Sequence, residues 1–472
     1  MDGYWDAELE TMPWHEVLRW QAREMAPWLA DLPARSPFHR NKLAGARLPE
    51  QPTDLDFLRD LPFTTKSEVR AAQNQRRPGE PFGPHQAAPL ENIVQVLTSS
   101  GTTGEPVSFA LTASDLEVWR DGIAAGFFTA GIRGDDVVAH LVGLPGVAGG
   151  LPYADGLRRI GAALAWIGGR PTEYIVHAIP RLGVTAVLST TSFGTYLADH
   201  CREITGEDAS SLGVRTLLGG GEPGLAQPEI RQRIRDGWKL SSVREVMGLG
   251  DVMSLLWAEC SDEGGMHFCG QRSVALELVD PEGGAVTRWE EGAEGEAVYT
   301  TFAREATPAL RYRSSDHMVV TATRCPCGRT SPRMRCIGRT DDMLIYKGMN
   351  VFPTAIRDIV VGRFSGSVAP YLRIWKEDAA QVRFDDPIPL EIEAADAFPE
   401  ERYHELARSI EHEVRTRLQV RVAVAVLTSG SIPRTAYKTP LVQVRDAHSA
   451  RSDRSEVANE TDDVLDTGSP PT

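Results

Sequence analysis

The chain has 472 residues, with 50 Lys and Arg against 65 Asp and Glu, a formal net charge of −15 and 42% apolar residues. That length predicts roughly two to four domains or subdomains with sizeable cores. The acidic balance excludes a broad nucleic-acid-binding face, which needs a surplus of basic side chains. Six cysteines in so long a chain do not make a disulfide scaffold. The sequence opens on Met1-Asp2-Gly3-Tyr4-Trp5 without a basic and apolar leader, and no run approaches the roughly 18 apolar residues of a membrane span. The expectation is a cytoplasmic protein with no membrane partner, in which clustered cysteines are read first as metal ligands.

Trp14, Val17, Leu18, Trp20, Met25 and Leu29 recur at helical spacing and predict helices over the first forty-five residues. Thr65 and Glu68 have capping-box spacing at a helix start. From about residue 90, short apolar runs at Val94–Leu97, Val137–Val142, Ala186–Ser189 and Val214–Leu218 alternate with helical stretches at 114–127 and 173–182. This texture predicts a largely parallel, helix-covered sheet. Residues 272–325 alternate in the β manner around the turn Pro281-Glu282-Gly283-Gly284 and predict a mostly β subdomain. After residue 340 the pattern is a small α+β unit: a strand at 343–346, a helix near 353–363, strands near 370–375 and 387–393, a helix at 400–417 and a closing strand at 421–427. Residues 447–472 are rich in Ser, Asp, Glu and Pro, and their composition predicts a disordered tail.

The first segment that carries chemistry is Thr98-Ser99-Ser100-Gly101-Thr102-Thr103-Gly104-Glu105-Pro106, directly after an apolar strand. Hydroxyls, backbone N–H groups and glycines without bulky side chains can wrap a polyphosphate. The alternative is a polar surface turn. It is not a Walker A loop, because no Gly-Lys-Ser/Thr follows. Gly219-Gly220-Gly221-Glu222-Pro223-Gly224 formally satisfies the dinucleotide pattern after a strand. Glu222 would repel a pyrophosphate, however, and Pro223 removes a donor from the cradle.

Ser99 to Pro106 resembles the phosphate loop of the adenylate-forming superfamily of acyl-CoA synthetases, adenylation domains and luciferases. Four further segments follow in the same order. Tyr312-Arg313-Ser314-Ser315-Asp316 is similar to the family's Tyr-Arg-Thr-Gly-Asp. Gly338-Arg339-Thr340-Asp341-Asp342 resembles the hinge motif, and Gly348-Met349-Asn350-Val351-Phe352-Pro353 continues it. Gly430-Ser431-Ile432-Pro433-Arg434-Thr435-Ala436-Tyr437-Lys438 resembles the catalytic-lysine segment. The segments Arg35-Ser36-Pro37-Phe38, Pro62-Phe63-Thr64-Thr65-Lys66 and Asn350 to Pro353 resemble the phenylacetate–CoA ligase branch more narrowly.

The resemblance implies an α/β fold. A large N-terminal domain over 1–340, with parallel sheets and a β subdomain, would hold ATP and the acid. A small mobile α+β domain over 341–446 would swing about Asp341. It implies an ATP-dependent, AMP-forming ligase that adenylates a carboxylic acid with Mg²⁺ and then passes the acyl group to CoA. The alternatives are a carrier protein or amine as acceptor, or a non-catalytic nucleotide-binding homologue. Lys438 would contact the carboxylate and the α-phosphate, where negative charge builds up. Ser99, Ser100, Gly101, Thr102, Thr103 and Gly104 would hold phosphates. Gly221, Glu222 and Pro223 would lie beside the adenine. Asp316 would accept the ribose hydroxyls, and Arg339 would reach ribose or phosphate.

Residues 246–253 depart from the family's Tyr-Gly-Leu-Ser/Thr-Glu. Met247 precedes Gly248 where the tyrosine stands, Gly250 replaces the hydroxyl, and Asp251 replaces the glutamate. Asp251 keeps the charge that Mg²⁺ needs on a side chain one methylene shorter. These departures point to an unusual substrate or acceptor. The glycine-rich run with Gly143, Gly146, Gly149 and Gly150 would line the acid site, and its small residues leave room for a flat aromatic acid. Cys260, His267 and the Cys325-Pro326-Cys327 hook offer three thiolates and an imidazole, a set that suits structural Zn²⁺. Cys269 could stand in for His267, but the branch resemblance favours His267. The branch also suggests a homodimer.

Overall fold

The structure is a computed structural model that describes residues 3–99, 106–142, 146–221, 224–282, 284–340, 342–347, 349–378, 381–433 and 441–445. The tail at 447–472 lies outside the described residues. Among the described residues, an eleven-stranded sheet organises the first three quarters of the chain. From edge to edge its strands are Val274–Val279, Glu294–Thr301, Tyr312–Ala322, Arg333–Arg339, Met266–Phe268, Met253–Glu259, Ser242–Leu249, Thr216–Gly220, Ala186–Ser189, Val137–His140 and Ala163–Trp166. The last five pair in parallel, and the others are antiparallel. Ala186–Ser189 is buried at every position, as a helix-covered parallel strand must be.

The β-rich stretch 272–325 is therefore not a separate sheet. It hydrogen-bonds onto the parallel half through the antiparallel strands Met253–Glu259 and Met266–Phe268. The apolar run near Val94 also sits elsewhere than the α/β alternation suggested. Ile93–Thr98 pairs antiparallel with Ser108–Thr112 in a two-stranded ribbon of its own, because its partner is the strand on the other side of the phosphate-loop segment.

The capping box at Thr65 and Glu68 is formed in the helix Lys66–Gln73, and a second one, Thr112 with Asp115, starts the helix Ala113–Thr129. The α+β unit after residue 340 carries the helices Pro353–Phe364 and Tyr403–Leu418 against a sheet ordered Val422–Leu427, Ile388–Ala394, Val368–Lys376 and Val442–Val444. Val422–Leu427 is thus one edge. The other is Val442–Val444, which follows the lysine segment and pairs in parallel with Ile374–Lys376. One cluster of buried residues runs from Ile175, Leu217 and Trp238 beneath the parallel strands to Leu344, Ile356 and Val360 of this unit. Burial of that continuous apolar surface, at roughly 25 cal/mol per Å², holds the unit in its present orientation. Among the described residues no helix is long and apolar enough to cross a membrane.

Candidate active site and metal centre

Of the phosphate-loop residues, Ser100 to Gly104 lie outside the described residues, and so do Gly143, Glu222, Pro223, Asp341 and Lys438. The neck of the phosphate loop is described. Ser99 N–H donates to the Val107 carbonyl at 2.9 Å, and Val107 N–H donates to Ser99 Oγ at 3.2 Å, which closes a hairpin across the loop. Thr98 N–H donates to the Gly146 carbonyl at 3.2 Å, so the hairpin is tied to the glycine-rich segment proposed for the acid.

Asp251 is 8% exposed, in the turn that follows Ser242–Leu249. The Lys66 ammonium stands 3.5 Å from its carboxylate, and burial first, then the Asp251 charge, push the nearby Tyr312 phenol well above its ordinary value. The buried Arg304 guanidinium donates to the Asp251 and Val252 carbonyls at 3.1 and 2.9 Å and fixes the turn. A lone carboxylate of this kind fits Mg²⁺, which takes one or two protein carboxylates and fills its octahedron from phosphate and water.

The two glycines beside Asp251 have steric causes. A Cβ on Gly248 would lie 1.8 Å from the Ser254 carbonyl oxygen, so no other residue fits. A Cβ on Gly250 would lie 2.8 Å from Ala148 Cβ and 2.9 Å from Phe109 Cζ. The space of the missing hydroxyl residue is filled by the phosphate-loop hairpin and the glycine-rich segment. Met247 pairs across the sheet with Trp257.

Asp316 and Arg339 face each other across adjacent strands, and Arg339 donates to the Asp316 carboxylate at 2.9 Å. Ser315, where the resembled motif has glycine, adopts φ +64°, the left-handed conformation that glycine favours. Gly220 allows no side chain, since a Cβ would sit 2.2 Å from the Val246 carbonyl, and Gly221 has φ +78°.

Two side chains at the candidate site, Lys66 and His140, are not among the residues the sequence singles out for it. Lys66 enters there only with the branch segment Pro62–Lys66. Its place is set by neighbours: Thr64 N–H donates to the Arg311 carbonyl and Arg313 N–H to the Thr64 carbonyl, both at 2.9 Å, while the Arg311 guanidinium covers the Phe63 ring and pairs with buried Glu277. His140 ends its strand with Nε2–H directed at the Gly150 carbonyl, 3.2 Å away. Its ring stacks on Trp166 at 5.0 Å and 13°, and Trp166 Nε1–H donates to the Val142 carbonyl at 3.1 Å. The two rings thus staple both ends of the segment containing Gly146 and Gly149. Gly150 caps the helix Leu151–Ile160. A histidine at the end of an otherwise apolar strand was the available signal.

Cys260, His267, Cys325 and Cys327 are brought together with their ligand atoms all within 4.8 Å of one another. The Cys260 and Cys325 sulfurs are 3.6 Å apart, and Cys327 Sγ is 3.4 Å from His267 Nε2. Tetrahedral zinc with bonds of about 2.3 Å to sulfur spaces its ligands about 3.8 Å apart, so the set fits. His267 Nδ1 is 3.0 Å from the Ser331 carbonyl, which fixes the tautomer that leaves Nε2 for a metal. The Cys327 thiol is drawn far down, first by the hydrogen bond from Cys260 and then by His267. Cys269 is a separate thiol whose pKa burial pushes up to about 12, and it is not in this cluster.

The description "AMP-binding enzyme C-terminal domain" matches residues 348–446. The phenylacetate-coenzyme A ligase of Thermus thermophilus is 30% identical over 445 residues, covering 91% of this chain and 96% of that protein. The crystal structure of a 2-hydroxyisobutyryl-CoA ligase in its postadenylation state with 2-HIB-AMP superposes with a TM-score of 0.84 at 25% identity, over 96% of this chain and 95% of the other. The same ligase in its thioesterification state, with 2-HIB-AMP and CoA, gives a TM-score of 0.67 at 25% identity over 97% and 96% of the two chains.

Proposed function

The chain belongs to the phenylacetate–CoA ligase family of adenylate-forming enzymes, and from that premise we propose how its residues divide the work of an ATP-dependent, AMP-forming ligase that activates a carboxylic acid and passes the acyl group to CoA. The observation that carries the assignment is the meeting of three segments at Gly250: the phosphate-loop hairpin through Phe109, the glycine-rich segment through Ala148, and the Asp251 turn itself. A triphosphate held by the first and an acid held by the second would meet beside Asp251 and Lys66.

In the first step a carboxylate oxygen bonds to the α-phosphorus and pyrophosphate leaves. Two anions must approach, so fixed positive charge where they meet lowers the barrier. Lys66 supplies one cation from a motif pinned by Arg311. Lys438 supplies the second from the unit over 341–446. Asp251 would hold Mg²⁺, which offsets phosphate charge when bound. Asp316 accepts the ribose hydroxyls, with Arg339 holding its carboxylate in place. In the second step the CoA sulfur attacks the acyl carbon and AMP departs. Lys438 must then make way, which a rotation about Asp341 provides. The greater likeness to the postadenylation form than to the thioesterification form supports reading the present arrangement as the one that follows the first step.

The small residues Gly146 and Gly149, on a segment stapled by His140 and Trp166, favour a flat aromatic acid. Zinc at Cys260, His267, Cys325 and Cys327 is structural in this reading, because all four positions come from protein. A cytoplasmic homodimer completes the proposal. Lys438→Ala should abolish acid-dependent pyrophosphate release and leave ATP binding nearly intact. Normal release by that variant contradicts the lysine assignment.

A further inference from the structure

Glu393 is 0% exposed, at the end of the strand Ile388–Ala394. A buried carboxylate is costly unless its charge is hydrogen-bonded. Its two oxygens accept two backbone N–H groups from a distant part of the chain: Gly430 N–H donates to Oε2 at 3.2 Å, and Ile432 N–H donates to Oε1. The adjacent strand Val422–Leu427 runs parallel, with Leu427 opposite Glu393. The chain then turns back through Gly430, at φ +82°, over the end of Glu393's own strand. Ile432, 1% exposed, plugs into the core beside it. Downstream, Val442 pairs with Ile374. The described residues on either side of 434–440 are therefore held, Gly430 and Ile432 by the Glu393 carboxylate and Val442 by the sheet edge.

We propose that Glu393 is a positioning residue for Lys438: its carboxylate fixes Gly430 and Ile432, and with them the point from which the lysine reaches the acid and the α-phosphate. This rests on the role given to Lys438 above. Charge-assisted bonds to backbone N–H are short and directional, so the anchor is stiffer than a turn alone would make it. Glu393→Gln preserves shape but swaps one acceptor for an NH₂ donor facing a backbone N–H, which loosens the tether.

The two half-reactions separate a positioning role from a merely structural one. Glu393→Gln should slow acid-dependent ATP–pyrophosphate exchange by roughly 10–100-fold, the loss typical of a displaced catalytic group. Thioester formation from supplied acyl-adenylate and CoA, which does not use Lys438, should change by less than about threefold. The 428–433 peptide should exchange its amide hydrogens faster, and Glu393→Asp, which keeps the charge, should recover part of the exchange rate. Adding Lys438→Ala to Glu393→Gln should cost no more than Lys438→Ala alone, since both act through the same group. Equal slowing of both half-reactions, or unchanged exchange, overturns the proposal. Lys438→Ala alone reports on the lysine assignment: if it retains ATP–pyrophosphate exchange, that assignment fails, whatever Glu393→Gln does.

Discussion

Gly250 shows how one residue can compensate for another lost. The hydroxyl expected there from the resembled motif has no room, because Phe109 and Ala148 occupy its position. Restoring it as Gly250→Ser should overpack the site and cost about 1–3 kcal/mol. A urea melt of the purified variant measures this, and Gly250→Ser with Phe109→Leu should regain part of the loss. Full stability of the single variant would contradict the packing argument. His85 and His140 give a second prediction. Burial pushes each imidazole down to about 4 from its ordinary 6.5. In the unfolded chain both rings take a proton near 6.5. The neutral native rings stabilise the fold above that pH, and the contribution is lost as pH falls from 6.5 through about 4. At about 1.4 kcal/mol per pH unit, each ring accounts for roughly 3 kcal/mol. Replacing His140 with Gln should flatten the decline in unfolding free energy between pH 7 and pH 4.5, and an unchanged slope would refute the assignment. Lys66 beside Asp251, and the His140–Trp166 staple, were not legible in the sequence. Each depends on strands and helices brought together from remote parts of the chain, and a local motif carries no record of that.

Cys260, His267, Cys325 and Cys327, which the Cys-x-Cys hook and the branch resemblance single out as a candidate metal set, do come together in the fold. What the sequence did not reveal is the cluster's second role, that of a clasp. Tyr4 donates its hydroxyl to the Cys327 carbonyl at 2.9 Å, and a Cβ on Gly328 would collide with that hydroxyl at 2.1 Å. The next residue, Arg329, pairs with Glu10 at 2.8 Å and donates to the Gly3 carbonyl at 2.8 Å. The hook thus ties down the start of the chain. Zinc near one equivalent per chain is expected in protein purified without chelator. Cys327→Ala should lose it, lower Tm and expose the segment around Ala7–Thr11 to protease before the rest of the chain. Absence of metal from the native protein, or a variant with native protease resistance, would contradict this. Other elements were legible for local reasons: the capping box at Thr65 and the helices Ala113–Thr129 and Pro353–Phe364 carry their own start signals or periodicity. The strand Val442–Val444 was not, since three residues gain strand geometry only by pairing with Ile374–Lys376.

At the scale of the molecule, ordered motifs reached the family, but the course of the sheet was set by pairings that no motif encodes. The β-rich stretch joined the parallel half in a single eleven-stranded sheet. That continuity puts Asp316, on Tyr312–Ala322, and Asp251, after Ser242–Leu249, on one frame. The C-terminal unit meets this frame where Gly338 lies flat against Phe352 and Thr354, and where Thr354 Oγ1 donates to the Ile337 carbonyl at 2.5 Å. The reorientation proposed between half-reactions requires that these contacts break. This frame belongs to an enzyme that joins an acid to CoA through an adenylate. The most direct test of that activity is pyrophosphate release from ATP and Mg²⁺ with benzoic, hydroxybenzoic, aminobenzoic and arylacetic acids, with and without CoA, followed by mass detection of product. Release should depend on one aromatic acid, and a CoA thioester of that acid should form when CoA is present. Acid-dependent release that yields only the adenylate in the presence of CoA, or no release with any acid, would contradict this.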